Sequence, residues 1–311
     1  MTARPDESPS AASRAARDNR LASLVASGAA AQPLRAALLE TLTRAQASGR
    51  SGGGFEDVLG TACYLKWSPM RGRTRLRHGL RRWLGTAPPR LRELANLEWL
   101  RAHGFDAPEP LLAGVDAVRG LPTFQFLVTR RVEGVVTVRD VFERDAPGRE
   151  RVIELLAREC ARLHREGFVH GDLFPRNLLV DEARERLWFL DAWRHAPPSG
   201  EPRARPSRLD WPWSRGEPHD LACLMVFGAR LFRADEQARW FRTYFDARYG
   251  EAFGPRERHS LVQRIAARRG ALVRHLLRRG RTTPRIPSPE WRPVPSGEGG
   301  RELEFEQVGD A

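Results

Sequence analysis

The chain has 311 residues, 41% hydrophobic and 29% charged, with nine Trp and fourteen Phe, which excludes a disordered or collagen-like chain and leaves two domains, or one two-lobed domain with tails. Its three cysteines, Cys63, Cys160 and Cys223, lie far apart and form no CxxC, so they exclude a disulfide framework or zinc cluster, fit a reducing compartment and read as buried thiols. The net charge of +13 suits nucleic acid, anionic lipid or phosphorylated ligands, and its sign alone does not choose among them.

Residues 1 to 31 are rich in Ala, Ser, Arg and Pro and are expected to form a mobile N-terminal tail. Leu21 to Ala31 has the look of a signal-peptide core, but Asp6, Glu7 and Asp18 precede it, so no secretory signal is expected and the chain reads as cytoplasmic. Pro33 to Thr43 carries Leu34, Leu38, Leu39 and Leu42 at helical spacing, and Ser48 to Gly54 reads as a flexible glycine run that could lay N–H groups on a phosphate. Thr61 to Trp67 alternates as a half-buried strand and holds Lys66, the only lysine beside 51 arginines. A lysine in such a background suggests a place where a compact point charge is needed and a planar guanidinium will not serve.

Arg71 to Arg82 interleaves arginines with Leu76, Leu80, Trp83 and Leu84, a basic amphipathic segment ending at Gly85. Arg90 to Leu100 is a short amphipathic helix carrying Glu93 and Glu98. Leu121 to Val132 reads as a central strand, and together these segments make a first lobe over 32–132. Arg151 to Glu166 is a helix with Val152, Leu156, Cys160 and Leu163 on one face, stopped by Gly167. After the run His170 to Asn177 come strands Leu178 to Val180 and Leu187 to Leu190, the second ending at Asp191; mostly helical sequence follows, with a Pro/Arg-rich loop at 197–218. The helical lobe is expected over 133–281 and a polar, Pro-rich tail over 282–311. The longest nearly apolar stretch, Leu221 to Phe232, contains Arg230 and falls well short of the ~20 residues of a membrane span.

His170-x-Asp172-x4-Asn177, a hairpin, and Asp191 at a strand end form the most specific signal. Phosphoryl transfer needs charges and metals held in place more than it needs covalent chemistry. Asp172 can accept the proton of an attacking hydroxyl. Asn177 and Asp191 offer the hard oxygen ligands that suit Mg²⁺. Lys66 can bind the α/β phosphates of ATP, with Glu93, or Glu98 on the same helix, holding it. His170 reads as a buried brace for the loop, and Arg194 as either a surface charge or a brace after Asp191.

These residues resemble the protein-kinase-like fold and specifically its bacterial lipopolysaccharide-kinase branch, whose members phosphorylate Kdo or heptose sugars. The resemblance covers Val58 to Phe227 and rests on Cys63 to Lys66, Arg92-Glu93, His103 to Pro108, His170 to Asn177, Trp188 to Arg194 and Asp220 to Leu224. It implies an α+β, two-lobed protein-kinase-like fold, with a small antiparallel β-sheet N-lobe and a helical C-lobe. It also implies an ATP- and Mg²⁺-dependent kinase whose acceptor is a sugar hydroxyl of lipopolysaccharide core or a similar glycolipid. Asp191-x-x-Arg194 in place of Asp-Phe-Gly favours this branch, whereas Asn177, where many of its members carry His, is the pattern of protein kinases and of aminoglycoside or choline phosphotransferases. The basic segments 71–92 and 256–281 are then expected to meet an anionic membrane surface at the inner face of the cytoplasmic membrane, and nucleic acid is not expected as a partner. The alternatives are a soluble small-molecule or Ser/Thr protein kinase on the same core, or a pseudokinase scaffold, against which the full set of Lys66, Asp172, Asn177 and Asp191 argues.

Overall fold

The computed structural model describes residues 25–26, 30–84, 87–144, 148–194, 216–226, 231–251, 253–278, 291–293 and 305–307. The chain divides into two compact units, one comprising residues up to His103 with Pro108–Glu133, the other Gly104–Ala107 with the chain from Gly134 onward.

The first unit is an antiparallel sheet with helices. Its elements in chain order are β1 (Val25–Ala26), α1 (Gln32–Ser48), β2 (Gly52–Val58), β3 (Thr61–Pro69), α2 (Gly72–Trp83), α3 (Pro89–Ala102), β4 (Pro110–Val118) and β5 (Leu121–Arg130). The strands lie in the order β1-β4-β5-β3-β2. Side chains alternate across the pleat, so Cys63 and Leu65 of β3 point with Phe124, Phe126 and Val128 of β5 into one cluster, closed by Leu38 and Leu42 of α1. A register shift in β4 between Pro110 and Leu112 places both Leu111 and Leu112 in that core.

Two departures from expectation occur here. The glycine run is not a free loop, because Gly52 to Gly54 open β2 and pair with Leu65 to Trp67. A Cβ at Gly52 would lie 2.5 Å from the Trp67 ring and one at Gly53 3.0 Å from Tyr64 Oη, so aromatic side chains fill the space that the glycines leave. Within the expected tail, Val25 and Ala26 pair with Gly114 and Ala113 of β4, and the Ala30 N–H donates to the Leu111 carbonyl. Residues 1–24 and 27–29 lie outside the described residues, as do 195–215 of the expected Pro/Arg-rich loop and most of the expected C-terminal tail.

The second unit contains β6 (Val136–Thr137), α4 (Val138–Glu143), α5 (Arg149–Arg165), a 3₁₀ turn (Pro175–Asn177), β7 (Leu178–Asp181), β8 (Arg186–Phe189), α6 (Glu217–Met225), α7 (Ala234–Tyr249) and α8 (Pro255–Arg278), with a small β9–β10 pair at Trp291–Pro293 and Phe305–Gln307. Buried Leu156, Cys160 and Leu163 of α5 and Trp240, Phe241 and Tyr244 of α7 build its core. Arg149 and Glu236 join the N-termini of those helices by paired contacts of 2.6 and 2.8 Å. Cys63, Cys160 and Cys223 are all buried free thiols.

A Cβ at Gly114 would lie 2.5 and 2.8 Å from ring carbons of fully buried Phe126. Gly114→Val should therefore overpack the sheet and cost about 2 kcal/mol. A melt should show a loss of roughly 4–8 °C; an unchanged melting temperature would mean that the Phe126 ring has room to move.

Candidate active site

In the first unit the candidate residues sit on the face of β3 opposite its core residues. Lys66 lies on β3, next to the β2 edge of the sheet, across from Gly53 of β2 and Leu127 of β5. Its Nζ donates to Glu93 Oε1 at 2.7 Å and stands 5.7 Å from the centroid of the Tyr64 ring. Glu93 is buried, and its second oxygen accepts from Arg90 Nη1 at 2.5 Å. The start of α3 is tied to the sheet because the Arg90 N–H donates to Gln125 Oε1 at 3.2 Å, while Gln125 Nε2 donates to Ser68 Oγ at 2.9 Å. Glu98 is exposed on the same helix. Of the two carboxylates weighed from sequence, the structure brings Glu93 to Lys66.

In the second unit the candidate residues are grouped around the loop that follows α5. Gly167 and Gly171 both take positive φ, at 76° each, a conformation that glycine adopts at little cost and that reverses the chain twice around His170. The N–H groups of His170 and Gly171 donate to Asp220 of α6 at 2.7 and 2.6 Å. His164 Nε2 reaches the same carboxylate at 3.3 Å, and its Nδ1 lies 2.7 Å from the Tyr244 hydroxyl. The Tyr244 and Tyr249 hydroxyls in turn donate to Glu217. Burial alone would raise the Asp220 carboxyl, but the hydrogen bond and charge of His164, the charge of His170 and the Gly171 N–H hold it below its ordinary range.

His170 Nε2 lies 2.8 Å from the Leu190 carbonyl, and the Asp172 N–H donates to its Nδ1 at 3.3 Å. A carbonyl only accepts and an N–H only donates, so the neutral ring carries its proton on Nε2. Burial pushes the His170 pKa down despite the pull of Asp220, Asp172 and the Leu190 carbonyl, and the ring therefore serves as a neutral brace.

Asp172 Oδ1 accepts from Arg194 Nε at 3.2 Å and lies 3.1 Å from its second guanidinium nitrogen, and Arg194 rests on the Trp193 ring at 4.6 Å. Among the described residues the contacts of this carboxylate fall on Oδ1. Asn177 Nδ2 donates to the Asp172 carbonyl at 2.8 Å, which leaves Oδ1 as the amide atom that can ligate a cation. The β7–β8 register pairs Leu178 with Phe189, and the Leu190 N–H donates to the Asn177 carbonyl at 2.9 Å. Asn177 and Asp191 thus stand at the same end of the hairpin. Asp191 has φ 58°, a left-handed conformation that a side chain tolerates poorly and that surrounding structure must hold. An amide oxygen and a carboxylate fit a hard cation such as Mg²⁺. Among the described residues no three His, Cys, Asp or Glu side chains cluster as metal ligands, so phosphate and water oxygens would have to complete the shell.

A family model described as lipopolysaccharide kinase (Kdo/WaaP) family matches residues 44–209, which include Lys66, Glu93, Asp172, Asn177, Asp191 and Arg194. The chain belongs to this family. Among curated proteins it is similar to the O-antigen chain terminator bifunctional methyltransferase/kinase WbdD of Escherichia coli, 32% identical over 88 residues, 28% of this chain and 12% of that one. It is also similar to a 3-deoxy-D-manno-octulosonic acid kinase of Vibrio vulnificus, 28% identical over 105 residues, 34% of this chain and 43% of that one. The matched region therefore spans less than half the length of either relative. Among solved structures, WaaP in complex with acyl carrier protein has a TM-score of 0.48 at 19% identity, covering 75% of this chain and 92% of that one. A choline/ethanolamine kinase family protein from Mesorhizobium loti has a TM-score of 0.41 at 18% identity, covering 80% and 89%.

Asp220 and its donors are the part of the site that sequence reasoning missed. The sequence marks it only as the first residue of the run Asp220 to Leu224, and nothing local signals that its carboxylate collects backbone N–H groups about fifty residues away. The depressed His170 pKa has a definite consequence for stability. The unfolded chain, with a histidine pKa near ~6.5, binds the proton that the folded chain resists, so stability falls as pH drops through that value. Wild-type melting temperature should fall by roughly a few degrees between about pH 7 and about pH 5.5, and His170→Gln should flatten that segment. A wild-type melting temperature constant across the window would count against the assignment.

Proposed function

We propose that the protein is an ATP- and Mg²⁺-dependent phosphotransferase acting on a sugar hydroxyl of lipopolysaccharide core or a similar glycolipid. Asp172 carries the reading: Arg194 holds its Oδ1, and among the described residues no contact falls on Oδ2, on the loop that also sets Asn177. Asp172 orients the sugar hydroxyl and accepts its proton on Oδ2 as the oxygen attacks. Arg194 is a positioning residue that fixes the plane of that carboxylate. Lys66, steered by Glu93, binds the nucleotide phosphates, while Asn177 Oδ1 and Asp191 hold Mg²⁺, which when bound neutralises phosphate charge. The family membership, and the name of the Vibrio vulnificus relative as a 3-deoxy-D-manno-octulosonic acid kinase, support a sugar acceptor. On this reading the enzyme works in the cytoplasm, at the inner face of the cytoplasmic membrane where such an acceptor is presented. Asn177 favours a second reading, a soluble small-molecule acceptor, and incubation with labelled ATP and the fractionated glycolipid extract of the host separates the two by which fraction takes up label.

Asp172→Ala should leave the fold and nucleotide binding nearly intact and reduce transfer by about 10²–10⁴-fold. Asp191→Asn should instead weaken ATP binding specifically in the presence of Mg²⁺, as read by titration calorimetry with and without the metal. Equal, metal-independent affinities in wild type and both variants would remove the metal role.

Lys66→Arg is the sharper test. Glu93 already accepts from Arg90 at 2.5 Å and from Lys66 at 2.7 Å, so a second guanidinium would have to share one buried carboxylate in the space of an ammonium. The variant should keep its circular dichroism melt within a few degrees and lose most of its turnover; full activity would reduce Lys66 to a generic positive charge.

A further inference from the structure

Helix α2 turns its large apolar side chains outward. Leu76, Leu80, Trp83 and Leu84 are 61%, 58%, 82% and 66% exposed, and their spacing of four, three and one residues gathers them into one stripe along the helix. The opposite side is the one that holds the helix in place. His78 is buried, a Cβ at Gly79 would lie 2.3 Å from the Leu121 side chain, and Arg75 Nη2 donates to the Val118 carbonyl at 3.1 Å. The stripe is therefore not needed for packing within the first unit. A contiguous apolar patch of this kind marks a surface that something else covers.

Charge indicates what covers it. Between Arg71 and Arg92 the sequence carries eight arginines and no acidic residue, and exposed Arg73 and Arg77 lie along one edge of the stripe. An apolar stripe ending in Trp and edged by cations matches the acyl–headgroup boundary of an anionic bilayer, where the ring sits at the interface and each guanidinium can make paired hydrogen bonds to phosphate. Helix α8, also basic, differs: it buries Leu261, Val262 and Ile265 in the second unit and carries Glu257 in its first turn. Arg256, Arg264, Arg274 and Arg278 are exposed on the solvated side of this core helix, whereas Arg269 is buried. No helix of the described residues is long and apolar enough to cross a membrane.

We propose that α2 is a membrane-surface anchor that lies in the plane of an anionic bilayer, with Leu76, Leu80, Trp83 and Leu84 inserted and Arg73 and Arg77 on headgroup phosphates. Binding needs no phosphoryl transfer, so a vesicle measurement can fail independently of the kinase reading. The experiment is co-sedimentation of the full chain with vesicles of phosphatidylcholine alone or with about one third phosphatidylglycerol, at about 0.1 M and about 0.5 M salt. Wild type should bind the anionic vesicles, more weakly at high salt, and leave the neutral ones unbound. Leu76→Ser with Leu80→Ser and Trp83→Ser should reduce that binding by about tenfold or more, and Arg73→Gln with Arg77→Gln by a similar factor with a shallower salt dependence. All these side chains are exposed, so the melts should match wild type. Arg264→Gln with Arg274→Gln on α8 should leave binding unchanged. Failure of wild type to bind anionic vesicles, as expected if an acidic protein covers the stripe, would overturn the proposal. Wild-type binding by the apolar triple variant, or an equal loss in the α8 variant, would do the same.

Discussion

A carboxylate removed from water is stable only where N–H groups replace its hydration shell, and Asp220 obtains that shell from the loop it organises. The N–H groups of His170 and Gly171 and the imidazole of His164 converge on it, so burying the charge and ordering the loop are one event. His170 then carries the order onward, its ring spanning from the Asp172 N–H to the Leu190 carbonyl. The segments that bear Asp172 and Asp191 are thereby held by one neutral side chain. The positive φ at Asp191 is sustained by the same bracing.

The first unit solves a related problem with fewer parts. Glu93 is buried with two cations on its two oxygens, and the Gln125–Ser68 bridge sets the helix that carries it against the strand that carries Lys66. Truncating Glu93 alone would leave Lys66 and Arg90 close together without their shared counter-charge, which is costlier than removing all three. The arrangement therefore changes as a set.

Much of the fold could be read from period and punctuation. Alternation marked β3, an apolar β-rich run marked β5, helical spacing marked α1 and α5, and the run from His170 to Asn177 followed by a hairpin to Asp191 located the loop. Strand β4 has no clear signal of its own, since Pro108, Pro110 and Gly114 interrupt it, whereas in the sheet the glycine makes room for Phe126. The glycine run escaped for the same reason: the aromatic rings of Trp67 and Tyr64 that require it lie on a neighbouring strand. Glu93 and Glu98 could not be separated, because five residues along a helix set them well over a right angle apart and only packing against the sheet decides which one turns inward. Arg194 was equally ambiguous until its distance to Asp172 was known. Side-chain pairings across long sequence separations have no local signature.

The single lysine also gives the molecule one cleavage point of a kind few chains of this size have. A protease specific for lysine can cut only after Lys66, and that bond lies in the strand hydrogen-bonded on both sides, to β2 and to β5. A strand in that position cannot enter a protease cleft until its neighbours separate, so the rate of this one cut, in protein with no label and no substitution, reports how often the sheet of the first unit opens.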